Sequence, residues 1–256
     1  MLVAIPLGVL AGAYLLATQR VRRWPLARTG CFLAGVAVLV VALGSGLAGH
    51  AEDHLSLHMV QHVLLALVAP PLLLLGRPIS LMLRVLPASE ARATAGLLRS
   101  RPLRLLTQPL VAWSLFSLVL VGTHVPAFYE AALRSEPLHA VEHGAYFWTA
   151  VLLWAAVLRA EALPHHVSPL TRVLVLVLAM PPMALIGVAL IGWDGVAYPH
   201  YADTADQRLA GWIMWIGGGV IVAAATLATG WHALVREEDH QVARDARADV
   251  GAGGPA

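Results

Sequence analysis

Apolar stretches as long as a bilayer is thick recur along the whole chain, and they constrain its fold more than any other feature. A transmembrane helix needs about 20 predominantly apolar residues. Seven such windows occur, at 2–18, 30–49, 55–75, 108–124, 138–158, 173–193 and 209–235. Only 12% of the residues are charged, about half the share in a soluble domain. The sequence therefore predicts an all-α, polytopic membrane helix bundle with seven transmembrane helices.

Basic residues lie mainly on one side of these predicted spans. All 17 are Arg, and fifteen fall in the loops after spans one, three and five or in the tail; only Arg134 and Arg208 fall in the opposite loops. Cytoplasmic loops are enriched in basic residues, so the N-terminus is expected outside and the C-terminus in the cytoplasm. Residues 1–235 are predicted to form one transmembrane domain, and residues 236–256 a polar cytoplasmic tail that is disordered.

The balance of charge also bears on partners. The net charge is +2, but the arginines are accounted for by loops that flank the membrane. The composition therefore predicts the lipid bilayer as a partner and gives no reason to expect nucleic acid.

Two histidine pentapeptides open two of the spans. They are His58-Met59-Val60-Gln61-His62 and His139-Ala140-Val141-Glu142-His143. Residues four apart lie on one face of a helix, about 6 Å apart along its axis, so each pentapeptide projects two imidazoles in the same direction. Spans three and five both enter from the outer side in the predicted topology, which brings the two pairs to equal depth. The predicted metal ligands are His58, His62, His139 and His143.

Other side chains are expected close to this cluster. The candidate additional ligands are His54, His124 and Met214. Gln61, Glu142 and Asp206 are expected to orient imidazoles through the second ring nitrogen. Glu142 is alternatively a proton carrier or a general base, and the histidines themselves alternatively form only hydrogen bonds between packed helices.

The cysteine content limits the metal chemistry. Cys31 is the only cysteine, which excludes a disulfide framework, a C-x-x-C redox pair and a C-x-x-x-C copper site. Imidazole and thioether without thiolate suit copper, whereas imidazole with carboxylate suits zinc equally well. The sequence leaves the identity of the metal open.

Several motifs together resemble a known family. His58–His62 leads into the proline-rich run 69–78, and further motifs follow at 122–126, 138–143 and 206–215. Their order and spacing are similar to those of the CtaG-type assembly proteins found with caa-type cytochrome c oxidases, over roughly residues 45–235. An unrelated single-span copper chaperone shares the CtaG name, but its cysteine motif does not occur in this sequence.

This resemblance implies a multi-pass protein of the bacterial plasma membrane that matures a haem–copper oxidase and has no catalytic residues. Its implied partners are cytochrome c oxidase subunits, with an extracytoplasmic copper donor as a further candidate. Ligand chemistry adds the hypothesis that the outer histidine cluster accepts copper and passes it to an oxidase subunit.

Three alternatives remain from the residues. His139-x-x-Glu142-His143 fits the H-x-x-E-H pattern of zinc hydrolases, with Glu142 activating a zinc-bound water. His62 and His143 could instead be the axial ligands of a b-type haem. A scaffold for oxidase assembly that binds no metal is the third.

Overall fold

The computed structural model describes residues 4–158 and 167–252, with side chains as far as Val235. Within these residues every regular element is a helix, as the sequence predicts. The α-helices are α1 Ala4–Gln19, α2 Leu26–Gly44, α3 Gly46–His50, α4 Leu55–Val63, α5 Ala69–Leu75, α6 Pro78–Val85, α7 Ala88–Leu98, α8 Arg101–Leu106, α9 Pro109–Thr123, α10 Pro126–Leu133, α11 Glu136–Leu158, α12 Pro169–Gly192, α13 Thr204–Trp212 and α14 Gly218–Ala252. Two π-helical turns, Leu64–Val68 and Ile213–Gly217, join α4 to α5 and α13 to α14.

Five helical stretches of the described chain are long and apolar enough to cross a membrane. They are Leu26–His50, Leu55–Val85, Glu136–Leu158, Pro169–Gly192 and Thr204–Val235. The pair α9 and α10 makes a sixth if it is taken as one span, although it is bent by 76°. The structure therefore supports a membrane bundle with five or six spans.

The predicted first span is the one that falls short. Within the described residues, α1 is apolar and 16 residues long, which is fewer than the about 20 residues that a span needs. The count of seven spans and the orientation of the termini stay predictions. Arg159, one of the arginines used to predict that orientation, lies outside the described residues.

The last helix continues beyond the predicted transmembrane domain. Helix α14 continues to Ala252, so the backbone of residues 236–252 is helical. Residues 253–256 lie outside the described residues, and the division into a transmembrane domain and a cytoplasmic tail stays a prediction.

Tryptophan side chains satisfy carbonyl groups that prolines leave without a donor. A proline has no N–H to give to the carbonyl one turn earlier, and Pro70 stands four residues after Ala66. The indole N–H of Trp154 donates to the Ala66 carbonyl at 2.9 Å. Neighbouring helices commonly re-satisfy freed backbone groups in this way inside membranes. A hydrogen bond of the same kind stabilises α12, which runs without a break through Pro181 and Pro182.

In α12 the freed carbonyl belongs to Leu178, four residues before Pro182. The indole N–H of Trp113 donates to it at 2.8 Å. The sequence predicts a kink or an end at each proline pair. The structure has a π-helical turn before Pro70 and an uninterrupted helix at Pro182.

Glycines let α12 and α13 approach closely. A Cβ atom added to Gly187 would lie 2.6 Å from the carbonyl oxygen of Gly211 and 2.6 Å from the Cβ of Trp215. Small residues are typical where membrane helices touch. This contact fixes α13 beside α12 and brings the start of α13 against α4.

The segment between α12 and α13 folds over one end of the bundle. The hydroxyl of Tyr198 donates to the His124 carbonyl at 2.9 Å, and that of Tyr201 donates to the Ala51 carbonyl at 2.9 Å. The backbone N–H of His200 donates to the Glu130 carboxylate at 3.1 Å. These bonds cover the end of the bundle that carries both histidine pentapeptides.

We expect the replacement Trp154→Phe to lower the free energy of unfolding by about 1–3 kcal/mol, because the buried Ala66 carbonyl loses its donor. In a Pro70→Ala background, residue 70 can supply an N–H, so the same replacement should cost less. Chemical unfolding in detergent micelles measures both costs. The exposed Trp148→Phe is the matched control, with an expected effect within about 0.5 kcal/mol. Equal costs in the two backgrounds would contradict the assignment.

Candidate metal centre

The four histidines predicted from the pentapeptides come together at the covered end of the bundle. His58 and His62 project from α4, and His139 and His143 from α11. The ring centroids of His58 and His139 are 5.2 Å apart, and those of His62 and His143 are 5.6 Å apart. The rings of α4 are buried, whereas those of α11 are half-buried. The two pairs therefore face each other across the helix interface at matching levels.

Two overlapping groups of possible ligands contain His58. One is His58 with His139 and His143, and the other is His58 with His62 and Glu142; within each group the ligand atoms lie within 4.8 Å of one another. Nitrogens of a tetrahedral site with bonds of about 2.0–2.1 Å are roughly 3.4 Å apart. Side-chain shifts on the order of 1 Å would close either group around one ion.

Hydrogen bonds fix the proton of His58. The hydroxyl of Tyr201 donates to the Ala51 carbonyl, so its oxygen accepts from the Nδ1–H of His58, 3.1 Å away. Burial raises the pKa of Tyr201, which keeps the phenol protonated. The Nε2 of His58 therefore presents a lone pair, and it faces Nε2 of His62 at 3.0 Å. A donor bond from the second ring nitrogen is typical of metal-binding histidines.

Several polar atoms of the cluster are buried and have no hydrogen-bond partner among the described residues. They are His62 Nδ1, His139 Nε2, His143 Nε2 and Glu142 Oε1. Native proteins leave few buried polar groups unpaired, and unpaired groups that cluster call for an explanation such as a bound ion. The nearest approach to Glu142 Oε1 by an imidazole nitrogen is His62 Nε2 at 4.0 Å. The donor set of imidazoles and one carboxylate suits a transition-metal ion.

Two residues expected to orient imidazoles have other partners. Gln61 donates to the Ala42 carbonyl at 2.7 Å and ties α4 to α2. Neighbouring residues on a helix do not face the same way, which directs Gln61 away from the ring of His62. Asp206 accepts from the backbone N–H of Ser56 at 3.1 Å and from its hydroxyl, so it ties α13 to α4. Glu142 was also expected to orient imidazoles, and its carboxylate belongs to the second group of possible ligands.

The other candidate ligands differ in their positions. His54 is exposed at the N-terminal cap of α4 and belongs to neither ligand group. Met214 is buried and lines a small cavity with His62 and Met183. His124 is buried with its Nε2 3.4 Å from the sulfur of Met59, and its ring centroid is 5.9 Å from that of His62.

Sequence reasoning missed Tyr201, which holds His58. The tyrosine lies 143 residues from His58, in a segment with no helical periodicity. Its position just before the last span was the one available signal, and it does not specify which helix the side chain contacts.

A cavity of about 500 Å³ reaches the cluster from the side. His139 and His143 line it on α11, together with Gln61, and apolar residues of α1 and α2 form the opposite wall. Glu52 and Glu136 also line it. This cavity gives the half-buried imidazoles an approach that the covering segment does not block.

Comparisons with known proteins give one family and several relatives. The family model of the cytochrome c oxidase caa3 assembly factors (Caa3_CtaG) matches residues 12–235. The uncharacterized proteins Mb0105 of Mycobacterium bovis and MT0111 of Mycobacterium tuberculosis are each 29% identical over 248 residues, which cover 90% of this chain and 37% of theirs. The uncharacterized protein ML1998 of Mycobacterium leprae is 27% identical over 263 residues, covering 94% of this chain and 39% of its own.

This chain thus spans a little over a third of the length of these curated relatives. No solved structure gives a significant match.

We expect Tyr201→Phe to weaken metal binding by about 10–100-fold, the usual effect of removing a group that orients a ligating histidine. The change frees the Nδ1–H of His58 and leaves its ring without a fixed orientation. Competition titration of Zn²⁺ into the detergent-solubilised protein measures the affinity.

Tyr198→Phe is the matched control, because that hydroxyl bonds only the His124 carbonyl among these groups. Its Zn²⁺ affinity should stay close to that of the wild type. Equal losses in the two variants would mean that Tyr201 acts through the covering segment and not through His58.

Proposed function

Because this chain belongs to the cytochrome c oxidase caa3 assembly factor family, we propose that it delivers copper to a haem–copper oxidase through its histidine cluster. Copper is the cargo in this proposal, and the ligands are His58, His62, His139 and His143. The observation that carries the proposal is the convergence of these four imidazoles, three of them with an unpartnered buried nitrogen.

The thioether sulfurs beside the cluster favour copper over zinc as the cargo. The cluster has imidazole and carboxylate donors, and thioether sulfurs of Met59 and Met214 lie close to its inner end. Copper accepts imidazole in both common oxidation states and thioether in the reduced one. An ion that is passed on must be held by ligands that exchange readily. The cluster contains no thiolate ligand, because Cys31 lies on α2 and belongs to neither ligand group.

The two overlapping ligand groups suggest how the ion moves. Half-buried His139 and His143 meet an ion first, by way of the lateral cavity. His58 belongs to both groups, so an ion can exchange His139 and His143 for His62 and Glu142 while His58 remains bound. Each step then replaces one ligand at a time, which avoids releasing the ion into a low-dielectric interior.

The asymmetry of the arginines puts the cluster on the extracytoplasmic side of the plasma membrane in this proposal. An extracytoplasmic copper donor would load His139 from the rim that carries Glu52 and Glu136. The receiving partner would be an oxidase subunit that packs beside the bundle within the bilayer. The role is that of a carrier, with no catalytic residue.

A zinc hydrolase is the second candidate function. The supporting observation is that His139 and His143 line a largely apolar cavity of about 500 Å³, large enough for a segment of lipid or peptide. Against it, the base of the H-x-x-E-H pattern, Glu142, groups with His58 and His62 and not with His139 and His143.

The haem alternative fits the geometry poorly. A bis-histidine haem needs a flat slot between its two axial imidazoles. Within the described residues, Tyr146 stacks on the ring of His62 at 4.2 Å, and Nε2 of His62 faces Nε2 of His58 at 3.0 Å. The ligating atom of His62 is thus directed at another imidazole.

The double replacement His62→Ala with His143→Ala tests the proposal. In a host that depends on this protein, we expect oxidase activity to fall to that of a strain lacking it, since one imidazole is lost from each helix. The purified double variant should also retain no copper, while its amount in the membrane stays at the wild-type level. Oxidase activity that survives the double change would refute a role for the cluster.

The matched control is His50→Ala with His54→Ala. Both side chains are exposed at the same end of the bundle, and neither belongs to a ligand group. Copper content and oxidase activity should both remain at the wild-type level.

A further inference from the structure

A thioether and an imidazole face each other just beneath the histidine cluster. Nε2 of His124 lies 3.4 Å from the sulfur of Met59, and both side chains are buried. Met59 follows His58 on α4, and His124 ends α9, so the contact joins two different helices.

A chain of hydrogen bonds determines which nitrogen of His124 carries the proton. The hydroxyl of Thr123 donates to the Val119 carbonyl at 2.9 Å. Its oxygen is then the acceptor for the hydroxyl of Tyr146, 2.6 Å away. The Tyr146 oxygen is left as an acceptor toward Nδ1 of His124, at 3.0 Å.

The Leu120 carbonyl is a second acceptor for the same nitrogen. It lies 2.8 Å from Nδ1 of His124, and a carbonyl only accepts. Nδ1 therefore carries the proton. In the neutral ring, Nε2 then has a lone pair, and it faces the Met59 sulfur.

A nitrogen lone pair and a thioether sulfur cannot form a hydrogen bond with each other, but both can bind a cation that lies between them. A protonated His124 could donate to the sulfur, but it would be a buried charge with no carboxylate bonded to it, and burying an unpaired charge is strongly unfavourable. For bonds of about 2.0 Å to nitrogen and 2.3 Å to sulfur, the observed separation gives an angle of about 105° at the ion. That angle suits a three- or four-coordinate ion.

We propose that Met59 and His124 form a second cation site, separate from the histidine cluster and selective for a soft monovalent ion, Cu(I). Thioether ligands select Cu(I) among the biological metals, whereas the outer cluster has only nitrogen and oxygen donors. The inference rests on the proposed function in one respect, that copper is the cargo.

His62 lies between the two sites. Its Nε2 faces His58, its unpartnered Nδ1 is buried, and its ring is 5.9 Å from that of His124. Tyr146 stacks on His62 and also fixes the proton of His124. The site with the sulfur ligand would thus lie only one side chain, that of His62, away from an ion held by the outer cluster.

The test uses Ag⁺, which mimics Cu(I) and does not change oxidation state, and Zn²⁺, which needs nitrogen and oxygen donors. X-ray absorption of the Ag⁺-loaded wild type should detect sulfur and nitrogen in the first coordination shell. Met59→Leu should lose the sulfur signal and one equivalent of bound Ag⁺, while its Zn²⁺ affinity remains unchanged. Met82→Leu, on the exposed side of α6, is the control and should retain both the sulfur signal and the Ag⁺ stoichiometry.

The His62→Ala, His143→Ala double variant separates this inference from the proposed function. If this double variant no longer binds Zn²⁺ but still binds Ag⁺ through sulfur, the two sites are distinct. A wild type that binds Ag⁺ on sulfur but carries no copper or Zn²⁺ at the cluster would refute the proposed function alone. The second site is overturned if the wild-type spectrum shows no sulfur ligand, or if Met59→Leu binds as much Ag⁺ as the wild type. The wild-type spectrum alone decides the question if the variant does not accumulate.

Discussion

The burial of several imidazole nitrogens that face one another is the main physical constraint on this protein. An unpaired buried polar group costs about 1–3 kcal/mol, and the cluster of His58, His62, His139 and His143 contains several. The surrounding contacts add to the constraint: Tyr201 fixes the proton of His58, and Asp206 ties α13 to the helix that carries it. Nε2 of His58 and Nε2 of His62 pair with each other at 3.0 Å, whereas His62 Nδ1, His139 Nε2 and His143 Nε2 have no partner among the described residues. A cation bound by such nitrogens would satisfy them.

The bilayer imposes a second constraint, on the backbone. Two helical connections near the histidine cluster, Leu64–Val68 after α4 and Ile213–Gly217 after α13, are π-helical turns. Such turns often occur at functional sites. The prolines that follow the first turn leave carbonyl groups without an N–H donor, and Trp154 supplies one to the Ala66 carbonyl. The helix that carries His58 and His62 is thus stabilised by Trp154, which bonds the chain one turn beyond His62.

The sequence predicts local geometry well and contacts between helices poorly. The spacing of four between His58 and His62 fixes a shared face once the segment is a helix, and the pairing of the two pentapeptides follows from equal depth. The partners of Gln61 and Asp206 depend on how each helix is rotated about its axis, which apolar periodicity does not specify in a helix that is apolar on most sides. The contact between Met59 and His124 depends in addition on the 76° bend after α9.

The most direct measurement is the position of copper in a diffraction experiment on the loaded protein, from anomalous scattering at the copper absorption edge. We expect a peak at about 2.0–2.1 Å from ring nitrogens of both α4 and α11, with His58 among the ligands. Copper located only at exposed side chains such as His50 or His54, or imidazoles of the two helices that point apart into lipid, would contradict copper handling by the cluster.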